Sequence, residues 1–462
     1  MNILLAPYKD KVFLRKTLLF ALPIAAQSLL NSVVNMIDNV MIGDLGDQAI
    51  SAVGQANKLF FVMCLLLFGI CSGSGILASQ YWGMKDVRNI KKVMALALPV
   101  GIVITSIVSI VAFNIPHTIM NLFVSSRETA NLGVEYLKIA VWSYPLVAIS
   151  MIYQQILRAT GSVKIPVITT LVAILTNVCL NYTLIYGNFG APALGVKGAA
   201  IATLAARVLE VIVLLSYVYI KNGPPAIKPR EFLWVDKSIL KLYFTKSFPV
   251  ILNELMWGLG TTIYSVVYGR LGDEAVAAIT VCTTMAEFMN VFFMGVANAS
   301  GVIMGNLMGE NKLSVAKTYA KKFLILGVEL AVVVSFFAVL FRNPFTMLFS
   351  NLSSQAMNYA RIAIVINACY AIFKITNYIM ITGIFRSGGD TKFCLMLDIL
   401  GVWCIGIPLA VITGLFLKWP VPYVFAALSF EEVVKAIIGI RRYKQYKWLN
   451  NIVGNNVAHK EI

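Results

Sequence analysis

The chain has 462 residues, 59% hydrophobic and only 13% charged, with a formal net charge of +17 at pH 7. Ordinary soluble chains carry roughly 25% charged residues, so this apolar surface cannot be hidden in a water-soluble core, and an all-α integral membrane protein is expected. Nucleic acid is excluded as the reason for the positive charge, because the charge is confined to alternate connections between apolar runs.

A helix of about 20 residues crosses the hydrocarbon core. Apolar runs of that order predict twelve spans, at 14–43, 50–81, 92–114, 132–158, 164–188, 195–220, 240–269, 276–308, 316–342, 356–386, 393–417 and 421–442. Lys9, Lys11, Arg15 and Lys16 lie at the start of the first, and Lys85, Arg88, Lys91 and Lys92 follow the second. Arg158 and Lys164 flank the connection after the fourth, and Lys221, Lys228, Arg230, Lys237, Lys241 and Lys246 fill the middle of the chain. The same alternation continues through Lys312, Lys317, Lys321 and Lys322, then Arg386 and Lys392, and ends with Arg441, Arg442, Lys444 and Lys447. The other connections hold little beyond Arg127, Lys197, Arg270, Arg342 and Lys418. The positive-inside bias therefore places both termini and the central linker in the cytoplasm of a multi-pass protein of the cell membrane. No short apolar region followed by a small-residue cleavage site opens the chain, so the first span is expected to serve as its own insertion signal.

Residues 249–309 repeat residues 23–83 at a constant offset of 226. Pro23 falls over Pro249, Gly43-Asp44-Leu45-Gly46-Asp47 over Gly269-Arg270-Leu271-Gly272-Asp273, and Gly69, Gly75 and Gly83 over Gly295, Gly301 and Gly309. Arg158-Ala159-Thr160-Gly161 reappears as Arg386-Ser387-Gly388-Gly389. Two copies of one apolar unit are the internal symmetry expected of a transporter that rocks one half against the other. The expected division is a lobe at 1–220, a linker at 221–241 containing Pro224, Pro225 and Pro229, and a second lobe at 242–462.

Ionisable groups at bilayer depth are expensive, so each marks a candidate site. Asp38 sits in span 1, where desolvation disfavours its charged form as a proton carrier requires; the competing reading is a helix-packing group held by hydrogen bonds. Its candidate partners are Asn177 and Asn181, one turn apart on span 5, and Thr203 on span 6. In the second half Glu254, Lys374 and Asp398 form another set, and the lysine is expected to pair with at least one of the two acids, either for ion coupling or as a static packing triad. Glu287, Gln27 and Asn253 are candidate substrate-cavity residues, and Asp38 or Glu254 are the places where sodium would bind. Arg207 with Glu210, and Glu431 and Glu432 with Lys435, read as structural charge clusters near the cytoplasmic side. His117 and His459 fall in a loop and in the tail with no metal or nucleophile partner in sequence, and the seven cysteines read as small buried apolar residues. Pro23, Pro145, Pro166 and Pro249 are able to bend or break helices, and the glycines from Gly69 to Gly75 permit close helix approach. There is no P-loop, so ATP is not the expected energy source, and no cofactor is expected.

Taken together, Pro23 with Asp38 and Gly43, Gln80-Tyr81-Trp82-Gly83, Arg158-Ala159-Thr160-Gly161, Gly195 to Thr203, Pro249 with Glu254, Met308-Gly309-Glu310-Asn311 and Arg386 to Asp390 carry a resemblance to the multidrug and toxic compound extrusion (MATE) transporters. The resemblance implies twelve helices in two pseudo-symmetric six-helix lobes around a central cavity, acting as an antiporter by alternating access. It further implies export of amphipathic, often cationic, organic compounds in exchange for protons or sodium, by a chain that functions as a monomer. Asp38 matches the span 1 acid of the family, while Asn181 stands where many members have an aspartate, which leaves Asp38 the sole acid of its site. Glu254 matches the span 7 acid of one branch, but the span 10 acid of that branch is absent and Lys374 lies in that region. A lipid-linked sugar flippase of the related superfamily is the alternative; a membrane enzyme or receptor lacks a His cluster, a metal motif or a signalling module.

Overall fold

The structure, a computed structural model, describes residues 6–124, 126–349 and 352–454; His459 lies outside them. All regular elements among the described residues are helical. The long helices are α1 (Lys11–Gly43), α2 (Asp47–Gly83), α3 (Val87–Asn114), α4 (Arg127–Ala159), α5 (Lys164–Tyr186), α6 (Val196–Ile220), α7 (Lys237–Leu271), α8 (Asp273–Gly309), α9 (Leu313–Leu340), α10 (Ser354–Phe385), α11 (Thr391–Phe416) and α12 (Val421–Lys444). Each predicted span falls on one of them. Among the described residues α1 to α11 are long and apolar enough to cross a membrane. The twelfth is less apolar because Glu431, Glu432 and Lys435 occupy its middle and Arg441, Arg442 and Lys444 its last turn. Short helices at Pro116–Phe123, which carries His117, and at Pro229–Trp234 fill two connections expected to be irregular.

The outer faces are apolar. Val103, Ile107 and Ile110 on α3, and Val332, Val333, Phe336, Phe337 and Leu340 on α9, are exposed at helical spacing. Stripes of this kind face lipid, since their transfer from water is worth roughly 1.5–3 kcal/mol per side chain. Three cysteines, Cys179, Cys369 and Cys404, lie exposed rather than buried, whereas Cys71, Cys282 and Cys394 are buried as expected. In a bilayer a small apolar side chain gains as much from lipid as from a protein interior.

The repeat is visible in the backbone. Gly46 and Gly272 adopt φ of +104° and +110° at the turns after α1 and α7. Lys85 and Asn311, also separated by 226, have φ of 59° and 57°, and Gly161 and Gly389 have 89° and 75°. Helices α1 and α7 run on through Pro23 and Pro249 without interruption. Pro145 follows a tightened 3₁₀ turn at Val141–Ser143, which breaks α4 near its middle. The halves differ at α10 and α11, where Ile379–Phe385, Ile399–Gly406 and Ile412–Phe416 widen into π-helix.

Packing separates two compact units. One comprises Ala26–Ala78 and Asp86–Ser247; the other takes in the residues up to Ala25, Ser79–Lys85 and those from Phe248 on. In the first, the central linker is fastened rather than loose: Lys91 pairs with Glu231 at 2.7 Å, Lys92 with Asp236 at 2.8 Å, and Tyr219 donates to the Ile227 carbonyl at 2.8 Å. Gly73 lies against Ser247 so closely that a Cβ would collide with it. In the second unit Gly83 and Gly309 bring the ends of α2 and α8 into backbone contact, a Cβ on Gly309 running into the Gln80 carbonyl. Gln80 itself is fully buried, donating to the carbonyls of Ser387 (2.7 Å) and Asn450 (3.1 Å) and accepting from Ile452 N–H (2.9 Å). Gly309→Val is expected to cost about 3 kcal/mol, because backbone cannot yield as a side chain would. The check is thermal unfolding in detergent: a clear fall in Tm for that variant, and none for Gly269→Ala, which has open space before its Cβ.

Candidate functional site

The unit formed by Ala26–Ala78 and Asp86–Ser247 encloses a cavity of about 400 Å³. Helix α1 turns Asn31, Asn35, Asp38 and Asn39 toward it, a spacing that lines one helical face. Helix α5 contributes Asn177 and Asn181, and α6 contributes Thr203 and Arg207, each pair one turn apart. Asn181 donates to Asp38 Oδ1 at 2.7 Å and to Asn177 Oδ1 at 3.2 Å, and Asn177 Nδ2 points to Thr203 Oγ1 at 3.4 Å. The four residues grouped from sequence therefore form one chain, in which Asp38 is the only carboxyl among the described residues lining the cavity.

The Arg207–Glu210 pair expected from its spacing is made, at 2.8 Å. It is not a separate cluster, since Arg207 lines the Asp38 cavity. Behind it the network continues: Glu210 accepts from Gln154 at 3.0 Å, and Gln27 donates to Gln154 and Thr170, both at 2.9 Å. Arg158 donates to Gln27 Oε1 at 3.2 Å. Gln27 is thus buried within this polar network, two helical turns before Asn35 on α1.

The second unit holds an ionic cluster. Glu254 on α7 pairs with Arg386 at 2.9 Å. Lys435 on α12 lies 3.2 Å from Glu432, 3.6 Å from Glu431 and 3.7 Å from Asp398, and Asn253 donates to Asp398 at 2.7 Å. Tyr264 donates to Glu431 and Asn377 to Glu432, at 2.7 and 2.6 Å. The wide π-helical turn of α11 makes the space: a Cβ on Gly401 would strike the Lys435 stem, and one on Gly406 the Tyr264 hydroxyl and Glu431 carboxylate.

The expected pairing of Lys374 is not formed. Its ammonium bonds Asn367 Oδ1 at 2.6 Å, two turns back on the same helix, and no ion pair among the described residues joins it to Glu254 or Asp398. Those acids are taken by Arg386 and Lys435. In the sequence Arg386 stands out as a repeat landmark, as part of the basic alternation and within the family resemblance, but not as a partner of Glu254, and Lys435 groups with Glu431 and Glu432 by i, i+4 and i, i+3 spacing, apart from Asp398. Glu287 is exposed on α8 and joins neither group.

Apolar helices faced with lipid-compatible side chains, and charged clusters buried inside each unit, define a multi-pass membrane protein of the transporter type. The MatE family model matches residues 23–183 and 249–412, beginning at the two repeat-related prolines, and the chain belongs to that family. It is 24% identical over 94% of its length to a probable multidrug resistance protein, YoeA, from Bacillus subtilis, covering 94% of that protein. To a probable multidrug resistance protein, NorM, from Thermotoga maritima it is 23% identical over 99% of its length and 98% of the relative. Among solved structures, a MATE in complex with MaL6 superposes with a TM-score of 0.85 at 19% identity, over 93% of this chain and 95% of that one. An outward-facing multidrug resistance MATE family transporter of the MOP superfamily gives 0.85 at 19%, over 94% and 96%.

Proposed function

We propose that the chain is a secondary active antiporter, not an enzyme, that exports amphipathic organic compounds in exchange for protons. It acts as a monomer in the cell membrane, with both termini and the linker on the cytoplasmic side as the charge bias requires. The observation that carries this reading is a lone carboxyl group, Asp38, held in a chain of amides and a hydroxyl at the wall of a cavity of about 400 Å³. Cavities of about 300–1,000 Å³ suit drug-sized solutes. The names of the relatives as multidrug resistance proteins agree with such a cargo.

A proton suits this site better than sodium. Sodium favours several oxygen ligands with charge on more than one of them, whereas a proton needs a single carboxyl group, and Asp38 supplies one, held by the Asn181 amide. The Oδ1 of Asn181 is buried and makes no hydrogen bond among the described residues. Rotating that amide would offer Oδ1 to a protonated Asp38, so both protonation states find a partner. The ionic cluster of the second unit, with Arg386 and Lys435 on its acids, maintains structure in this scheme. Ethidium efflux from vesicles containing the purified chain tests the proposal. Efflux is expected when a pH gradient is imposed in sodium-free buffer, and its absence there would overturn the proposal.

A further inference from the structure

Helix α2 is shared between the two packing units: its residues up to Ala78 belong to the first and Ser79–Gly83 to the second, where its last turn lies against the end of α8. A Cβ on Gly83 would strike the Asn306 carbonyl, one on Gly309 the Gln80 carbonyl, and one on Gly305 the Ser79 side chain. Small residues let the two helices touch along this seam. The segment that follows α12 supplies hydrogen bonds across it. Trp448 and Val453 are fully buried and bracket that segment. Trp448 stacks on Tyr443 with ring centroids 5.7 Å apart, donates to the Tyr443 carbonyl at 3.0 Å, and sets its own carbonyl against Gly388, where no Cβ could fit.

Between these anchors the Asn450 carbonyl and the Ile452 N–H meet the side-chain amide of Gln80 on α2, while Asn451 donates to the Gly309 carbonyl on α8 at 3.3 Å. Asn451 also shapes the turn, since its Oδ1 accepts from the N–H groups of Val453 and Gly454 at 3.2 and 2.8 Å. Consecutive residues thus grip α2, α8 and α2 again. The repeat places this segment. Lys91 pairs with Glu231 behind α6, and Lys317, 226 residues on, lies 4.0 Å from the Tyr446 ring behind α12. Gln80 has Asn306 as its counterpart, whose Oδ1 is buried and makes no hydrogen bond among the described residues, so the grip on Gln80 is not duplicated there.

We propose that residues 448–453 are a strap across the seam of α2 and α8, which holds the two helix ends together and lets go of Gln80 whenever they part. This rests on the transport reading above, in which the halves rock and the charge bias puts this end of the chain in the cytoplasm; the strap then sets how long the cytoplasmic side stays closed. Trp448 is anchored on Tyr443 and Gly388, both outside α2, so it stays docked while the residues beyond it peel away. An open hollow of about 860 Å³, lined by Met84, Lys85, Asn311, Lys312, Asn451 and Gly454 among others, flanks the seam and admits water as the strap lifts.

The test is hydrogen–deuterium exchange of the full chain in lipid nanodiscs, read by mass spectrometry with no gradient imposed. Asn451→Ala takes away the bond to α8 and the turn that aims Ile452, and Gln80→Leu takes away the grip on α2 with side-chain size nearly kept. In both variants the amides of residues 79–85 and 305–312 are expected to exchange about tenfold faster, while those of α7 and α11, and the Tm, stay close to the parent. A static packing role would instead raise exchange throughout the second unit and lower Tm. That pattern in both variants, or an unchanged seam in both, would overturn the strap. Faster exchange confined to the seam in Asn451→Ala sustains it even where the buried Gln80→Leu change lowers Tm. Exchange needs no gradient, so a loosened seam in a chain that moves no dye would sustain the strap while overturning antiport, and an unaltered seam in a chain that exports dye would overturn the strap alone.

Discussion

Asp38→Asn is expected to abolish gradient-driven efflux while leaving the protein inserted and folded. The amide has the shape of the carboxylic acid, and its Oδ1 can still accept from Asn181, whose 2.7 Å hydrogen bond fixes the local geometry. What it lacks is a proton to give up. Since Asp38 is the only acid among the described residues lining its cavity, none of those lining residues can take over. Ethidium efflux in vesicles should therefore fall to the level of protein-free vesicles, with the Tm of the purified variant close to that of the parent. Normal efflux by Asp38→Asn would remove Asp38 from energy coupling.

Lys435→Met is expected to be the most damaging single change in the second unit. The Lys435 side chain is 5% exposed and lies within 4 Å of three carboxylates, Asp398, Glu431 and Glu432, which are 14%, 9% and 16% exposed. Lys435 is the cation within 4 Å of all three, so its removal breaks a buried ionic cluster, at about 3–5 kcal/mol. Lys374→Met makes the informative comparison. Its ammonium bonds a neutral amide, so its loss should cost about 1–2 kcal/mol, as expected for a hydrogen bond with one charged partner. Thermal unfolding of both variants in the same detergent checks the order. A Lys374 variant as unstable as the Lys435 variant would mean that the acids rely on Lys374 after all.

The helices were legible because lipid demands long unbroken apolar runs, and because the repeat supplies each landmark twice. Gly46 and Gly272 share a left-handed backbone that favours glycine, which is why the sequence retains the residue at both places. The Asp38 group was legible for a related reason: an acid and two amides one turn apart are conspicuous among apolar residues, and helical periodicity alone puts Asn177 and Asn181 on one face. The partners in the second unit were not legible. Pairing there depends on which face of α12 meets α11, and that is set by the π-helical widening at Ile399–Gly406 and by Gly401 and Gly406, none of which has a period to read. Arg207 was misplaced for a similar reason. Spacing disclosed its bond to Glu210, but not that the guanidinium leans from there into the Asp38 cavity.

The central claim is that protonation of Asp38 drives export, and it is tested most directly by separating the two ion gradients in one preparation. Ethidium efflux is measured in vesicles of the purified chain, once with a pH gradient in sodium-free buffer and once with a sodium gradient at clamped pH. Efflux with the pH gradient alone, absent in Asp38→Asn, is the predicted result. Efflux that follows the sodium gradient at clamped pH and ignores the pH gradient without sodium would contradict it.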